Sequence, residues 1–244
     1  MNRAKLSRDI GGLMRRLETA GIRPKPEEAS ATRRSIQPAL LQRVESLQKS
    51  IELTICALGK GKGSQLDEIL GVLLRWMRQG TVVRVFGAGR ARLAVAIPAN
   101  RLLHGGARTF MQGDIMPVPH TIHGGAVLAA SASGRTPSVL EDMKTIRTHA
   151  PHIKILGIAS ADAKEFRALC DHFIGIHEAP DPIPLKALAD VKEYVISEVL
   201  DALVVAAGKR GGFDDRRWRL GHENIGATGP YDAVRRLNLM FNIE

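Results

Sequence analysis

The stretch "VLAASASGRTP", residues 127–137, decides the fold of this chain. It opens with small and apolar side chains, which are typical of a strand buried on both faces of a sheet. It then places three hydroxyls, a glycine and a cation within six positions: Ser131, Ser133, Gly134, Arg135 and Thr136. A turn needs only one or two such residues, so their crowding indicates that an anion is held there.

Apolar, β-branched segments alternate with helical periodicity on both sides of this stretch. The segments that predict strands are 81–86, 107–111, 125–131, 153–160 and 172–176. The segments that predict helices are 36–58, 65–79, 90–104, 137–149 and 185–207, with a further short helix after residue 160. Each strand is too apolar to have a face in water, so we expect a doubly wound α/β fold with a five-stranded parallel sheet and helices on both faces. Ligands of such sheets bind beyond the carboxyl ends of the strands.

Composition limits the classes of function. The chain has 244 residues, of which 44% are hydrophobic, enough for one substantial core with an appended segment. The net charge of +10 is spread along the sequence and only 4% of residues are aromatic, so a nucleic-acid partner is not expected. No apolar run is long enough to span a membrane, and the first residues lack the apolar core of a secretory signal. Two isolated cysteines add no disulfide framework, so we expect a cytoplasmic protein.

Changes in composition predict three parts of the chain. Residues 1–35 are basic and polar and are expected to form a loosely ordered extension with one short helix around 6–19. Residues 36–226 contain every predicted strand and form the main domain, and residues 227–244 form a helical tail.

The loop of residues 131–136 has two interpretations. The three hydroxyls could converge on one point if the backbone forms an anion-binding nest that opens the helix at Pro137, a residue suited to a first helical turn. They could instead cap that helix. One cap needs one hydroxyl and three are present, which favours phosphate binding.

A second glycine-containing loop follows the first predicted strand in "FGAGRAR". Gly87 and Gly89 would let backbone N–H groups approach a ligand at a helix N-terminus. The dinucleotide-binding motif would need a third glycine where this chain has Arg92. A tight turn and a ligand-binding loop both remain open for this segment.

Ionisable residues elsewhere give weaker signals. Glu193 lies at the edge of a long apolar helix and is a candidate base, although periodicity alone favours a solvated acid. His222 lies in the polar, glycine-rich segment "RLGHENIGATG", where packing gives little reason for a histidine. His120 and His123 lack further ligands at metal-binding spacing, so no metal site is predicted.

From Tyr194 onward the long helix is apolar nearly all round, which predicts burial in a subunit interface.

Together these motifs resemble the sugar isomerase (SIS) domain family over about residues 40–226. "VFGAGRA" is similar to the first loop of the family, "LAASASGRTPSV" to its phosphate loop, and "QGDI" to the segment after the second strand of arabinose-5-phosphate isomerases. "EYVISEVLDALVVAA" resembles a helix of 6-phospho-3-hexuloisomerases, with Glu193 on its glutamate, and His222 takes the place of the C-terminal histidine. The chain departs from the family at Ala91, where the first loop has serine, and at Gln112, where the isomerases have histidine.

The resemblance implies aldose–ketose isomerisation of a phosphosugar through an enediol, without a metal or another cofactor. It implies that the phosphate is held by Ser131, Ser133, Gly134, Arg135 and Thr136. It implies that the sugar is contacted by Gly87, Gly89, Arg90 and Gln112. Glu193 would be the base, and His222 would open the sugar ring or shuttle protons, as an imidazole can near neutral pH.

Family members are usually dimers or tetramers with sites completed across an interface, so a homodimer or homotetramer is expected, and Glu193 and His222 could come from different chains. The alternative is a non-catalytic phosphosugar sensor, which Ala91 and Gln112 favour.

Overall fold

A computed structural model of the chain describes residues 26–60, 64–113, 125–180 and 191–222. The helices are α1 (Pro26–Leu58), α2 (Gln65–Arg78), α3 (Gly89–His104), α4 (Pro137–His149), α5 (Lys164–Ala168), α6 (Val191–Arg210) and α7 (Asp215–His222). The strands are β1 (Val82–Phe86), β2 (Arg108–Met111), β3 (Ala126–Ser131), β4 (Lys154–Ser160) and β5 (His172–Ile176). The predicted helix at 6–19, the predicted tail at 227–244 and the pair His120 and His123 lie outside the described residues.

The five strands form one parallel sheet in the order β2-β1-β3-β4-β5, which confirms the predicted fold class. The chain passes outward from β1 to β2 and then returns to place β3 on the other side of β1. The direction of winding therefore reverses between β1 and β3. At such a switch point the loops after two neighbouring strands leave on opposite faces and open a crevice.

The two faces of the sheet have separate cores. Helices α2, α3 and α6 cover one face, where their apolar residues pack against alternate side chains of β1, β3, β4 and β5. Helices α4 and α5 cover the other face, against Phe86, Val127, Ala129 and Ile155. Every residue of β3 is buried, as expected for a central strand with no face in water.

The start of the first long helix differs from the prediction. Helix α1 begins at Pro26, ten residues before the predicted start at residue 36. The chain divides into two compact units, Met1–Glu45 and Ser46–Glu244, and the division falls inside α1. The apolar periodicity that predicted this helix started ten residues too late because the segment before it is polar and basic.

Helix α6 was predicted to be buried in a subunit interface because it is apolar nearly all round. The structure shows that it is buried within the chain itself. Helices α2 and α3 and the sheet cover most of α6 within the one chain, and ten of its residues are buried. Its apolar pattern therefore needs no second subunit to keep it from water. Among the large apolar side chains of α6, Tyr194 is exposed, at 51%.

Candidate functional site

The loops after β1 and β3 meet the switch point at the carboxyl edge of the sheet, the edge at which the strands end. Phe86, the last residue of β1, pairs with Ala129 of β3, so the two strands end side by side. Residues 87–89 lead from β1 into α3 and residues 131–136 lead from β3 into α4. The structure thus places both predicted ligand-binding loops at the position where doubly wound sheets bind ligands.

Inside the second loop, the hydroxyls of Ser131 and Thr136 converge. Their oxygens are 2.9 Å apart, and the Ser131 hydroxyl also accepts a 3.0 Å hydrogen bond from the Gly134 N–H. Gly134 has a φ of 66°, and a Cβ at this position would overlap the Cβ of Ala163. Only glycine fits this turn, which brings two hydroxyls and a backbone N–H to one place.

The hydroxyls do not serve mainly as helix caps. Thr136 occupies the N-cap position of α4, yet its side chain accepts no hydrogen bond from the first turn of the helix. The Ser133 hydroxyl accepts a bond from the Arg135 N–H in the same loop, and its side chain is exposed. Two of the three predicted hydroxyls are therefore brought together, and the third lies on the solvent side of the loop.

Arg135 is paired with an acid outside the loop. Its guanidinium lies 3.7 Å from the carboxylate of Asp162, which follows β4, and both side chains are exposed. A hydrogen bond with Ser160 and, to a smaller extent, the charge of Arg135 lower the pKa of Asp162. The phosphate loop therefore has an anionic neighbour that sequence reasoning missed, although Asp162 follows a predicted strand at the same edge.

The two glycines of the first loop have different roles. A Cβ on Gly87 would lie 2.9 Å from the Cα of Arg92, so the close approach of α3 requires this glycine. Gly89 has a φ of 54° and faces open space. The guanidinium of Arg90 lies 6.0 Å from the ring centre of Tyr194, which joins the start of α3 to the start of α6. A tight turn explains Gly87, and a ligand-binding role remains for Gly89 and Arg90.

Gln112 follows β2 and its side chain already has a partner. Its Nε2 donates a hydrogen bond to the carboxylate of Asp142 on α4, and its backbone N–H donates to the carbonyl of Val85. Gln112 is therefore fixed beside the switch point and bonded within the protein.

Glu193 lies in the first turn of α6, at the same edge of the sheet as the two loops. Its carboxylate is partly buried, and Oε2 is buried without a hydrogen-bond partner among the described residues. The solvated acid that periodicity favoured is thus not what the structure shows. A buried acceptor without a donor is costly in a folded protein, and such groups often mark a place where a ligand supplies the missing contact.

His222 lies at the opposite edge. It is the last residue of α7, and a Cβ on its neighbour Gly221 would overlap the carbonyl oxygen of His104, at the far end of α3. Helix α3 has 16 residues and runs from the carboxyl edge to the amino edge, a distance of about 24 Å. Within one chain the structure does not bring His222 to Glu193 or to the phosphate loop.

A cleft of about 570 Å³ opens near that far end, between α3, α6 and α7. Arg101 and Asp201 form an ion pair across it, and Trp218 forms part of its wall. This cleft is on the side of the molecule away from the two glycine-containing loops.

Clusters of metal-binding side chains and membrane-spanning helices were sought in the described residues. In those ranges, His, Cys, Asp and Glu side chains do not gather in groups of three or more that could hold a metal ion. The same ranges contain no helix that combines the length and the hydropathy needed to cross a membrane.

Comparison with solved structures finds a similar fold in proteins that are 16% to 21% identical to this chain. A protein from Methanococcus jannaschii, whose structure infers a function of 3-hexulose-6-phosphate isomerase, is 21% identical with a TM-score of 0.58 over 75% of this chain and 98% of that chain. An E. coli CFT073 protein in complex with a phosphosugar is 18% identical, with a TM-score of 0.59 over 78% of this chain and 98% of that chain. The NanR protein of Vibrio vulnificus, complexed with ManNAc-6P, is 16% identical, with a TM-score of 0.60 over 82% of this chain and 72% of that chain.

Sequence comparison adds less. No protein-family model matches the chain. An uncharacterized protein from Aeropyrum pernix is 28% identical over 179 residues, which are 66% of this chain and 82% of that protein. The structural similarity is what identifies the architecture: the chain has the fold of sugar isomerase (SIS) domain proteins.

Proposed function

We propose that this protein isomerises a phosphosugar between aldose and ketose forms, with its phosphate held by residues 131–136 and with Glu193 as the base. The observation that supports this most is that Oε2 of Glu193 is buried without a hydrogen-bond partner among the described residues, at the same edge of the sheet as the phosphate loop. An isomerase of this kind needs one anchor for the phosphate and one positioned base.

The phosphate anchor is the hydroxyl-rich loop at the N-terminus of α4. Ser133 and Thr136 provide hydroxyls, and the backbone N–H groups of the loop provide further donors where the helix dipole favours negative charge. Arg135 contributes less to phosphate binding than its charge suggests, because its side chain is exposed and is already paired with Asp162. Anchoring the phosphate fixes the distance from the loop to the carbonyl end of the sugar.

The Glu193 carboxylate removes the proton from the carbon next to the carbonyl group. The electrons of that C–H bond form the double bond of a cis-enediol, and the carbonyl oxygen takes a proton. Return of the first proton to the neighbouring carbon, with loss of the other hydroxyl proton, gives the isomer. The reaction is balanced without a redox partner, and its rate depends on the placement of the base.

A second copy of the chain would supply His222. The histidine lies about 20 Å or more from the phosphate loop of its own chain, given the length of α3. Leu93 and Ile97 lie one turn apart on α3 and are 71% and 59% exposed, so this helix offers an apolar face between the two edges. A two-fold dimer about this face would bring the far end of each chain toward the carboxyl edge of the other and complete two equal sites.

A phosphosugar sensor without catalysis is the second candidate. Gln112 is bonded to Asp142, and Ala91 is buried and offers no hydroxyl, so two positions where isomerases carry polar groups are occupied by packing or by an internal bond. The similarity in fold to the Vibrio vulnificus protein complexed with ManNAc-6P is compatible with such a role.

Exchange of solvent deuterium into bound phosphosugars separates the two candidates. We expect the wild-type protein to bind at least one member of a panel of pentose and hexose phosphates and to introduce deuterium at the carbon next to the carbonyl. Binding without exchange would instead favour the sensor. Failure of the whole panel to bind, measured by calorimetry, would contradict both candidates.

The phosphate loop is tested by Ser133→Ala combined with Thr136→Val. Each lost hydrogen bond to a charged group costs about 1.5–3 kcal/mol, so the affinity should fall by roughly a hundredfold or more. The fold should persist because Ser131 keeps its bond from the Gly134 N–H. Ser138→Ala, on the exposed first turn of α4, is the matched control and should bind as the wild type does.

A further inference from the structure

Lys192, one residue before Glu193, is an unusual side chain for its position. It lies in the first turn of α6, where the helix dipole disfavours a cation, and only 15% of its side chain is exposed. Its ammonium lies 2.9 Å from Oε2 of Glu178. A buried cation needs a partner of opposite charge, and Glu178 provides one.

Glu178 belongs to a segment that is held in place. Its neighbours His177 and Ala179 donate backbone hydrogen bonds of 3.1 and 2.9 Å to the hydroxyls of Thr54 and Ser50 on α1. Both hydroxyls belong to fully buried residues. Hydrogen bonds therefore hold the backbone of this segment on both sides of Glu178. They restrain the position of the carboxylate that Lys192 contacts.

The charge of Lys192 also acts on Asp162, the acid that pairs with Arg135 of the phosphate loop. It contributes to lowering the pKa of Asp162, after the larger effect of the Ser160 hydrogen bond, and Asp162 in turn pairs with Arg135. Lys192 thus contacts the segment after β5 directly through Glu178, and its charge acts weakly on the acid that pairs with Arg135. In the part of α6 that the structure describes, the charges of the first turn are those of Lys192 and Glu193.

We propose that Lys192 is a positioning residue for Glu193, an inference that rests on the proposed function. Adjacent residues on a helix point about 100° apart, so Lys192 acts on Glu193 through the backbone of the first turn. The ion pair with Glu178 fixes the rotation of that turn and with it the direction of the Glu193 carboxylate. A small misplacement of a base is enough to reduce a rate by about a hundredfold.

The test compares Lys192→Met and Glu178→Gln in the deuterium-exchange assay. At saturating phosphosugar each should slow exchange by about a hundredfold while the affinity for phosphosugar stays unchanged. Lys192→Arg keeps the charge and should restore most of the rate. Lys209→Met, which removes an exposed lysine from the last turn of the same helix, is the control and should exchange as the wild type does.

The double variant Lys192→Met with Glu178→Gln should exchange no more slowly than either single variant, because both changes break the same pair. Independent, multiplying effects would overturn the inference, as would a wild-type exchange rate in Lys192→Met. A parallel loss of affinity and rate would show that Lys192 contacts the ligand directly and would also overturn the positioning role. A wild-type protein that binds without exchange would overturn the proposed function and this inference together.

Discussion

Asp171 and Glu193 are partly buried carboxylates at opposite edges of the sheet, and their surroundings differ. Asp171 precedes β5 at the amino edge and accepts hydrogen bonds from Lys154 at 2.8 Å, from Arg147 at 2.6 Å and from the Ile155 N–H at 2.9 Å. Glu193 has one oxygen buried with no donor in the described residues. Burial alone therefore does not mark a functional acid.

The difference lies in what the protein has supplied to each carboxylate. Burial acts to raise the pKa of Asp171, but the bonds from Lys154, Arg147 and the Ile155 N–H outweigh it and lower the pKa to about 2. Asp171 is therefore satisfied by the fold and ties α4 to the start of β4. Within the described residues Glu193 Oε2 receives no hydrogen bond, so its surroundings differ from those of Asp171 in the donors that are present.

The largest expected effect that tests this contrast comes from Glu193→Gln. The amide keeps the size of the side chain but is not a base, so exchange of deuterium into bound phosphosugar should fall at least about a thousandfold, or about 4 kcal/mol. Glu198→Gln, an exposed acid on the same helix, is the control and should leave the rate unchanged. Full exchange in Glu193→Gln would place the base elsewhere, with His222 first to be examined.

Gly134→Ala tests whether close packing against Ala163 holds the loop of residues 131–136 in its conformation. The new Cβ would overlap the side chain of Ala163, in a backbone with positive φ. The free energy of unfolding should fall by about 2–4 kcal/mol, from backbone strain and overpacking together. Gly71→Ala, at a helical position with no atom within 4 Å of the new Cβ, should instead gain up to about 1 kcal/mol in urea unfolding. Equal effects of the two changes would contradict this explanation.

Asp171→Asn should cost about 1–2 kcal/mol at pH 7, after allowance for solvent screening. The pKa of Asp171 is about 2 in the folded chain against 3.8 for the free group, so this contribution is complete above about pH 4 and is lost as the pH falls toward 2. Urea unfolding of wild type and variant at pH 7 and at low pH measures it. Asp67→Asn, whose pair with Arg210 is exposed, should change stability by less than about 0.5 kcal/mol. A pH-independent difference for Asp171→Asn would argue against the charge network.

The smallest effect is expected at Cys170, beside Asp171. Burial raises the pKa of its thiol to about 12, so almost no thiolate is present at pH 8. Iodoacetamide should modify the exposed Cys56 in the native protein and should reach Cys170 only after unfolding, as mass spectrometry can show. Rapid native modification of Cys170 would mean that the amino edge opens. Faster modification of Cys170 in Asp171→Asn would show that the ion pairs of Asp171 help to keep the amino edge closed.

Local pattern was enough for the elements and for one part of the candidate site. Helix α4 and strand β5 have the predicted bounds, because apolar periodicity and turn residues act over short distances. The convergence of hydroxyls in residues 131–136 could be predicted in part because these residues are close together in the chain, and phosphate binding there stays a prediction. In α1, periodicity selected the apolar side chains but missed that the most buried residues include Ser50 and Thr54, whose hydroxyls bind the segment after β5.

The α/β class and the order of strands and helices along the chain thus followed from the sequence alone, and the sequence also led to the prediction that residues 131–136 bind an anion. Three features became visible only in the folded chain: Glu193 has a buried oxygen without a donor in the part of the chain that the structure describes, Gln112 is bonded to Asp142, and His222 lies at the other end of α3. The reason is physical: periodicity reports which side of an element is apolar, whereas the partner of a carboxylate or amide depends on which distant segments the packing of helices on the sheet brings within hydrogen-bond reach.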